Sequence, residues 1–271
     1  MINKPQLSNS MLDMAAKCGI QFQRRYGAIF GIWPEEEIIP PGIALTLGKN
    51  VHFTAEKDFN NLLEIGTLLT SEAIADLGRS NLESLWTAGI MIDEGDALDI
   101  KKTHDDTVDM AVKLSLLHHR ELAPLAKPVE IEKGFVIQLD GYPIDLKGRI
   151  DILEEDAIGD IKTMAANKES VRSGQMAMYA TAFKIEKGRF PSRLYHQKAI
   201  KTKIPKAVVE EIAPDPVWIN PLYRRIERFI EVIDAVKVSK QVLMPADPAS
   251  FICSARYCGY SRTCRFFSGR P

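Results

Sequence analysis

The sequence predicts an α/β protein with a central mixed sheet flanked by helices. Helical periodicity dominates the first 125 residues, alternation typical of strands begins at 129, and helix and strand patterns then interleave up to residue 237. At 271 residues the chain can form one large domain or two smaller ones, and we read 1–271 as one domain carrying a helical insertion at 65–125. A hydrophobic content of 45% with 26% charged residues is that of an ordinary soluble globular protein. No apolar run approaches the ~18–20 residues of a membrane span. The opening "MINKPQLSNS" lacks the apolar stretch of a signal peptide, so a cytoplasmic protein is expected.

Residues 8–26, "SNSMLDMAAKCGIQFQRRY", open with Ser and Asn as cap candidates and continue at helical spacing, with Leu12, Ala15, Ala16, Cys18 and Phe22 largely on one face. "GIWPEEEIIPPGIAL" is a Pro-rich loop. "GKNVHFTAEKDFNNLLEIG" is a helix on which His52 and Glu56 share a face. Helices near 70–90 and 104–123 follow, joined by an acidic connection at 92–103. "VEIEKGFVIQLDG" and "YPIDLKGRIDIL" form a hairpin. In its second strand Ile144, Leu146, Ile150 and Ile152 point one way, and Lys147, Arg149 and Asp151 the other. After the turn "EEDA", "IGDIKT" places Asp160 and Lys162 on one strand face. A helix over about 169–186 carries Gln175 and Tyr179 one turn apart, "RLYHQKAI" is a further strand, and 216–237 is a long amphipathic helix.

A net charge of −1 neither predicts nor excludes a nucleic-acid partner, but the charges are unevenly placed. From Arg256 to Pro271 there are four arginines (256, 262, 265, 270) and no acid, and from Lys184 to Lys206 eight basic residues accompany the single acid Glu186. Each run, taken alone, also suits a solvated surface.

Of the four cysteines, Cys18 stands near the start, and Cys253, Cys258 and Cys264 lie within "CSARYCGYSRTC". In a cytoplasmic chain such clustering points to metal rather than disulfides. Four thiolates can hold zinc or an iron–sulfur cluster. The gaps are wider than the paired C-x₂-C knuckles of zinc ribbons, and the fourth ligand lies at the other end of the chain. This favours a cluster, with zinc as the less favoured occupant and a buried Cys18 beside three unligated thiols as the bland alternative.

Carboxylates among apolar strand residues are costly unless they are paired or bind a cation. Asp151, Asp160 and Lys162 can converge from adjacent antiparallel strands, with His52 reaching them from the upstream helix. Carboxylates and imidazole suit Mg²⁺ or Mn²⁺. The lysine can position a water or stabilise charge on phosphorus, and Gln175 and Tyr179 can contact the nucleic-acid strand or that water. Singly, each residue could be an exposed acid, a surface ion pair or a plain helix face. Their order, however, is specific: "GKNVH", "GRID", "GDIKT", then "QMAMY".

That series resembles the PD-(D/E)XK nuclease superfamily in its RecB-like branch, and the one-plus-three cysteines resemble its iron–sulfur members, such as the AddB nuclease domain and CRISPR-associated RecB-like exonucleases. The likeness runs from Leu7 to Cys264 apart from the helical region. It implies a restriction-endonuclease-like fold, with His52, Asp151, Asp160 and the carbonyl of Ile161 as ligands of a catalytic Mg²⁺ or Mn²⁺. It further implies Lys162 as the catalytic lysine beside Gln175 and Tyr179. A 4Fe–4S cluster on Cys18, Cys253, Cys258 and Cys264 would staple the termini together. One departure is the spacing of Cys253 and Cys258, which is wider than in many relatives.

The activity implied is a metal-dependent DNA exonuclease acting on single strands or duplex ends, with protein partners in recombination and repair, phage replication or CRISPR adaptation. Nothing in the residues themselves separates DNA from RNA. The alternatives are a non-catalytic iron–sulfur DNA-binding subunit and an electron-transfer protein. The first would be expected to lack Asp160 or Lys162, and the second leaves the carboxylates and lysine unexplained. Arginines of the tail could grip phosphates and its aromatics stack on bases, although packing around the cluster is the plainer role for Tyr257, Tyr260, Phe266 and Phe267.

Overall fold

The computed structural model describes residues 4–36, 39–92, 96–168, 173–247, 249–250, 252–254 and 257–267. Parts of several expected features lie outside the described residues: Arg256 and Arg270 of the tail, Glu37, positions 93–95 of the acidic connection, and the first four residues of the helix expected at 169–186.

Strand β1 (Gln6–Leu7) leads into α1 (Asn9–Lys17), where the Ser8 hydroxyl accepts the Met11 N–H as N-cap. The helical pattern over 8–26 is not one helix. Cys18 is extended (φ −154°, ψ 101°), and α2 (Gly19–Tyr26) restarts with the Cys18 sulfur accepting the Gln21 N–H. The reason lies at Gly19, whose N–H donates to the Met244 carbonyl; a β-carbon there would lie 2.6 Å from that of Leu243. The returning chain occupies the space a continuous helix would need.

Helix α3 (Ile43–Ile65) ends at Gly66, whose φ of +86° suits glycine. Next come α4 (Ser71–Thr87), capped by Thr70, and α5 (Ile100–Leu117), capped by Asp99, followed by a π-helical turn over His118–Leu122. Strands β2 (Glu130–Gln138), β3 (Asp145–Leu153) and β4 (Ala157–Met164) precede α6 (Gly174–Lys187), capped by Ser173. β5 (Arg193–Ile200) follows as expected, and β6 (Lys206–Ile212) was not expected. The long helix anticipated at 216–237 divides at Asn220–Pro221 into α7 (Pro216–Ile219) and α8 (Pro221–Ser239), because Pro221 has no N–H to continue the ladder.

The sheet is mixed, in the order β1-β3-β4-β5-β6, with β2 also on β3. β2 lines β3 antiparallel from Glu130↔Leu153 to Gln138↔Asp145. On the other edge of β3, β1 runs parallel at 145–146, and β4 pairs antiparallel only at Ile152↔Gly159 and Leu153↔Ile158. β4 and β5 are parallel throughout. One apolar cluster joins Leu146, Ile150, Ile158 and Leu194 to α1, α2, α6 and α8. The other joins Ile152, Ile161 and Ala199 to α3, α4 and α5. Helices thus cover both faces of a central mixed sheet, the fold class read from the sequence.

One detail of that reading changes. Ile152 does not share a face with Ile144, Leu146 and Ile150; it packs in the other cluster. The alternation breaks beside Asp151, opposite Glu132, whose φ of +51° interrupts the β2–β3 pairing between Ile131↔Ile152 and Lys133↔Ile150. Asp151 is thereby turned toward the place where β3 and β4 part.

Gly148, opposite Phe135, leaves room for that ring, which packs edge-on to Tyr179 with centroids 6.1 Å apart. A β-carbon at 148 would lie 2.4 Å from the ring. Gly148→Val should therefore displace Phe135 and destabilise the protein by about 1–3 kcal/mol, as overpacking does, measured by urea unfolding.

Candidate active site

Where β3 and β4 separate, side chains fill the gap. Asp151, one residue beyond the last β3–β4 pair, uses its carboxylate in place of a strand partner: Oδ2 accepts the Ile161 N–H at 2.8 Å. Asp160 lies on β4 with none of its surface exposed, and Lys162 follows on the same face. The Lys162 ammonium donates to Asp160 at 3.0 Å (Oδ1) and 2.9 Å (Oδ2) and to the Gln175 Oε1 at 2.7 Å. Gln175 donates through Nε2 to the Tyr179 hydroxyl at 2.7 Å, and that hydroxyl donates to the Arg149 carbonyl. The four groups form a directed chain from β4 through α6 to β3. Gln175 thus bonds Lys162 directly, and Tyr179 bonds Gln175.

His52 comes from α3 on the other face. Its Nε2 lies 2.9 Å from the Ile161 carbonyl, and its Nδ1 3.7 Å from Asp151 Oδ2 and 3.6 Å from Glu132 Oε1. All the sequence-expected residues of this site, His52, Asp151, Asp160, Ile161, Lys162, Gln175 and Tyr179, therefore meet in one notch. Glu132 was not expected there. Together, His52, Glu132 and Asp151 offer ligand atoms within 4.8 Å of one another. In the sequence Glu132 is one charged residue among Glu130, Glu132 and Lys133, and its backbone twist carries no signature in side-chain type.

Electrostatics show a site with surplus negative charge. Burial, and then the neighbouring Asp160, push the Asp151 carboxyl up to about 7, against the pull of His52 and the Ile161 N–H. Burial acts on Asp160 in the same sense, yet the Lys162 charge and the His196 hydrogen bond outweigh it and hold this carboxyl below its usual range. Burial lowers the affinity of His52 for a proton, but Glu132, Asp151 and Asp160 prevail and raise it to about 9. Burial, then the charges of Asp151 and Asp160, raise Tyr179 far above a normal phenol, so it stays a neutral donor.

The donor set fits a divalent cation of the Mg²⁺ or Mn²⁺ type. Such an ion would offset the repulsion between two buried carboxylates and take the place of the proton between the His52 imidazole and the Ile161 carbonyl. The 2.9 Å between Nε2 of His52 and the Ile161 oxygen is close to the ~3.0 Å edge of an octahedron with ~2.1 Å bonds.

The cysteines also meet. Burial raises the Cys258 thiol, and Cys18, Cys264 and Cys253 lie close enough to raise it further. Cys18 Sγ accepts N–H groups from Gln21 (3.5 Å) and Ala246 (3.3 Å). Among the described residues, no three of the sulfurs lie within 4.8 Å of one another. Beside them Arg24 ties α2 to the tail: it donates to Thr263 Oγ1 at 2.8 Å, pairs with Glu36 at 2.7 Å and stacks on the buried Tyr260 at 4.3 Å. Arg265 stacks on Phe266 at 4.7 Å, and Tyr257 is half exposed.

Among solved structures, the chain is similar to a candidate exonuclease from Eubacterium rectale, with a TM-score of 0.57 and 15% identity over 93% of this chain and 88% of that one; at this identity the likeness shows the fold. A second structure, of SSO0001, overlaps with a TM-score of 0.32 at 14% identity over 90% of this chain and 98% of that one, too little to carry an argument. No curated protein matches the sequence. Among the described residues no helix is long and apolar enough to cross a membrane. The model of the PD-(D/E)XK nuclease superfamily matches residues 6–265, spanning β1, the β3–β4 notch and the cysteine tail, and the chain belongs to that superfamily.

Proposed function

We propose that this protein is a divalent-metal-dependent DNA exonuclease acting on ends or single strands, with a 4Fe–4S cluster on Cys18, Cys253, Cys258 and Cys264. The observation that carries the catalytic reading is Asp160: a fully buried carboxylate bound to Lys162 and set against a second buried carboxylate, Asp151. A non-catalytic DNA-binding subunit would have no use for that arrangement. The choice of DNA rests on the superfamily, and the exonuclease mode leans on the description of the Eubacterium rectale protein.

A bound Mg²⁺ or Mn²⁺ supplies a Lewis acid to the phosphoryl oxygen and acidifies a water. His52, Asp151, Asp160 and the Ile161 carbonyl would hold it. Lys162, held by Gln175 at one side and Asp160 at the other, keeps its ammonium at the mouth of the notch. There it stabilises the charge that develops on the phosphate oxygens and orients the attacking water. Tyr179 and Gln175 keep this cation from swinging away.

The spacing of the cysteines in the sequence, wider than paired C-x₂-C knuckles and with the fourth at the other end of the chain, supports a cluster over a single zinc ion. Amide N–H groups of Gln21 and Ala246 already point at the Cys18 sulfur, as hydrogen bonds to ligating sulfurs do around clusters.

Assays on 5′- and 3′-labelled single- and double-stranded DNA with Mg²⁺ or Mn²⁺ test the activity; a metal-loaded protein inert on every form would refute it. Asp160→Ala and Lys162→Ala should each lower cleavage by about 10²–10³-fold or more with the circular dichroism spectrum intact. Loss of fold in both would instead assign these residues a structural role.

Cation affinity should rise with pH. A proton occupies His52 below about 9 and Asp151 below about 7, and both must leave before these groups can ligate. Raising the pH removes the competitor, so Mn²⁺ affinity between pH 6 and 9 should increase by up to about tenfold per unit for each proton displaced. Calorimetry in buffers of different ionisation enthalpy would register the protons released.

Anaerobically prepared protein should contain about four irons and four sulfides per chain and a visible chromophore. Stoichiometric zinc without iron would contradict the cluster.

A further inference from the structure

His196 lies on β5 in register with Asp160 on the parallel strand β4, and neither residue is exposed at all. Its Nδ1 is 2.8 Å from Asp160 Oδ2. Because a carboxylate only accepts, Nδ1 carries the proton. The other ring nitrogen, Nε2, is buried with no hydrogen-bond partner among the described residues. Among the described residues the ring is therefore held through Nδ1 alone.

The bond is placed where it can matter. Asp160 Oδ2 receives both His196 and Lys162, whereas Oδ1 receives Lys162 alone among the described residues. Lys162 approaches from the mouth of the notch, and its side chain is one-third exposed. His196 approaches from the interior of the sheet. Lys162 is a long flexible chain that must also serve the substrate; His196 is a rigid ring fixed on a central strand. The next inward residue of β5 on this face, Lys198, is occupied elsewhere, by Glu210 at 2.9 Å and the Lys168 carbonyl at 2.7 Å. His196 is therefore the fixed donor to Asp160.

We infer that His196 is a positioning residue: its Nδ1–H locks the Asp160 carboxylate in the orientation that presents Oδ1 to the catalytic cation. The inference rests on the metal-nuclease reading and adds to it a residue behind the ligands. Groups that orient a ligating side chain in this way are worth about 10–100-fold in metal affinity or activity.

The test compares His196→Leu, His196→Asn and His196→Gln, with Mn²⁺ alone as probe, followed by the electron paramagnetic resonance of the free ion. Asparagine places an amide N–H near the position of Nδ1, glutamine near that of Nε2. Leucine and glutamine should weaken Mn²⁺ binding by about 10–100-fold and reduce kcat with KM for DNA little changed, while asparagine should recover most of both. Circular dichroism and thermal melts report the fold. Should the leucine variant not fold, the asparagine–glutamine pair decides, since a structural role predicts equal behaviour of the two. Wild-type Mn²⁺ affinity in the leucine variant, or equal affinity of the asparagine and glutamine variants, would overturn the inference. Failure of the wild type itself to bind Mn²⁺ would instead sink the metal reading on which it stands.

Discussion

The structure turns on one hydrogen bond, from the Ile161 N–H to the Asp151 carboxylate. β3 and β4 pair for two residues and then part, and a parting sheet leaves backbone donors that must be satisfied. Here a side chain satisfies one of them, so that a carboxylate becomes part of the sheet's own bonding. With the ladder open, the Ile161 carbonyl turns to His52 from α3, and Asp160 and Lys162 face α6. Helices on opposite faces of the sheet can then contribute to a single notch, which a fully zipped sheet would keep apart. Glu132, in its left-handed backbone conformation opposite Asp151, belongs to the same break. The cost of an interrupted ladder is borne where the chemistry sits, as is common at functional sites.

Much of this was legible in the sequence, and the reasons differ by residue. Asp160 and Lys162 were readable because period-two geometry forces i and i+2 onto one face. Gln175 and Tyr179 were readable because four residues make one helical turn. His52 was readable only through the order of motifs, since no local periodicity says that α3 packs over the β3–β4 break at Ile161. Glu132 and His196 were not readable. The first depends on a backbone angle, and the second on the register of two parallel strands joined by a long crossover, neither of which has a local signature. The break at Cys18 was hidden for a similar reason: it is set by Leu243 and Met244, more than two hundred residues away. Ile152 was misassigned because alternation was extended through the very point where the pairing fails.

Away from the sheet, α2 and the cysteine tail are tied to each other. Arg24 links α2 to Glu36, Thr263 and Tyr260, so a polar and aromatic clasp holds the segments that carry the cysteines. The Glu36 hydrogen bond keeps the guanidinium charged, and a charged stacked arginine is a rigid connector. Burial first, and then the neighbouring Cys18, Cys264 and Cys253, favour the protonated thiol at Cys258. In the notch Asp151 and Asp160 are held close against their repulsion by Lys162, His196 and His52.

The charge arithmetic of the notch explains why protein groups alone do not finish it. Glu132, Asp151 and Asp160 supply three potential negative charges, and Lys162 and His52 two positive ones. Without a cation the balance is reached by protons: Asp151 holds one up to about 7, and His52 one up to about 9. Protons at these positions occupy the lone pairs a metal needs. Lys162 is bonded by Gln175 and Asp160 on the other side of the notch. A divalent cation held by His52 and Asp151 would compete with protons there, away from the ammonium. That division places the exchangeable charge against β3 and α3, and the permanent one against α6, where a phosphate approaching the mouth would meet it.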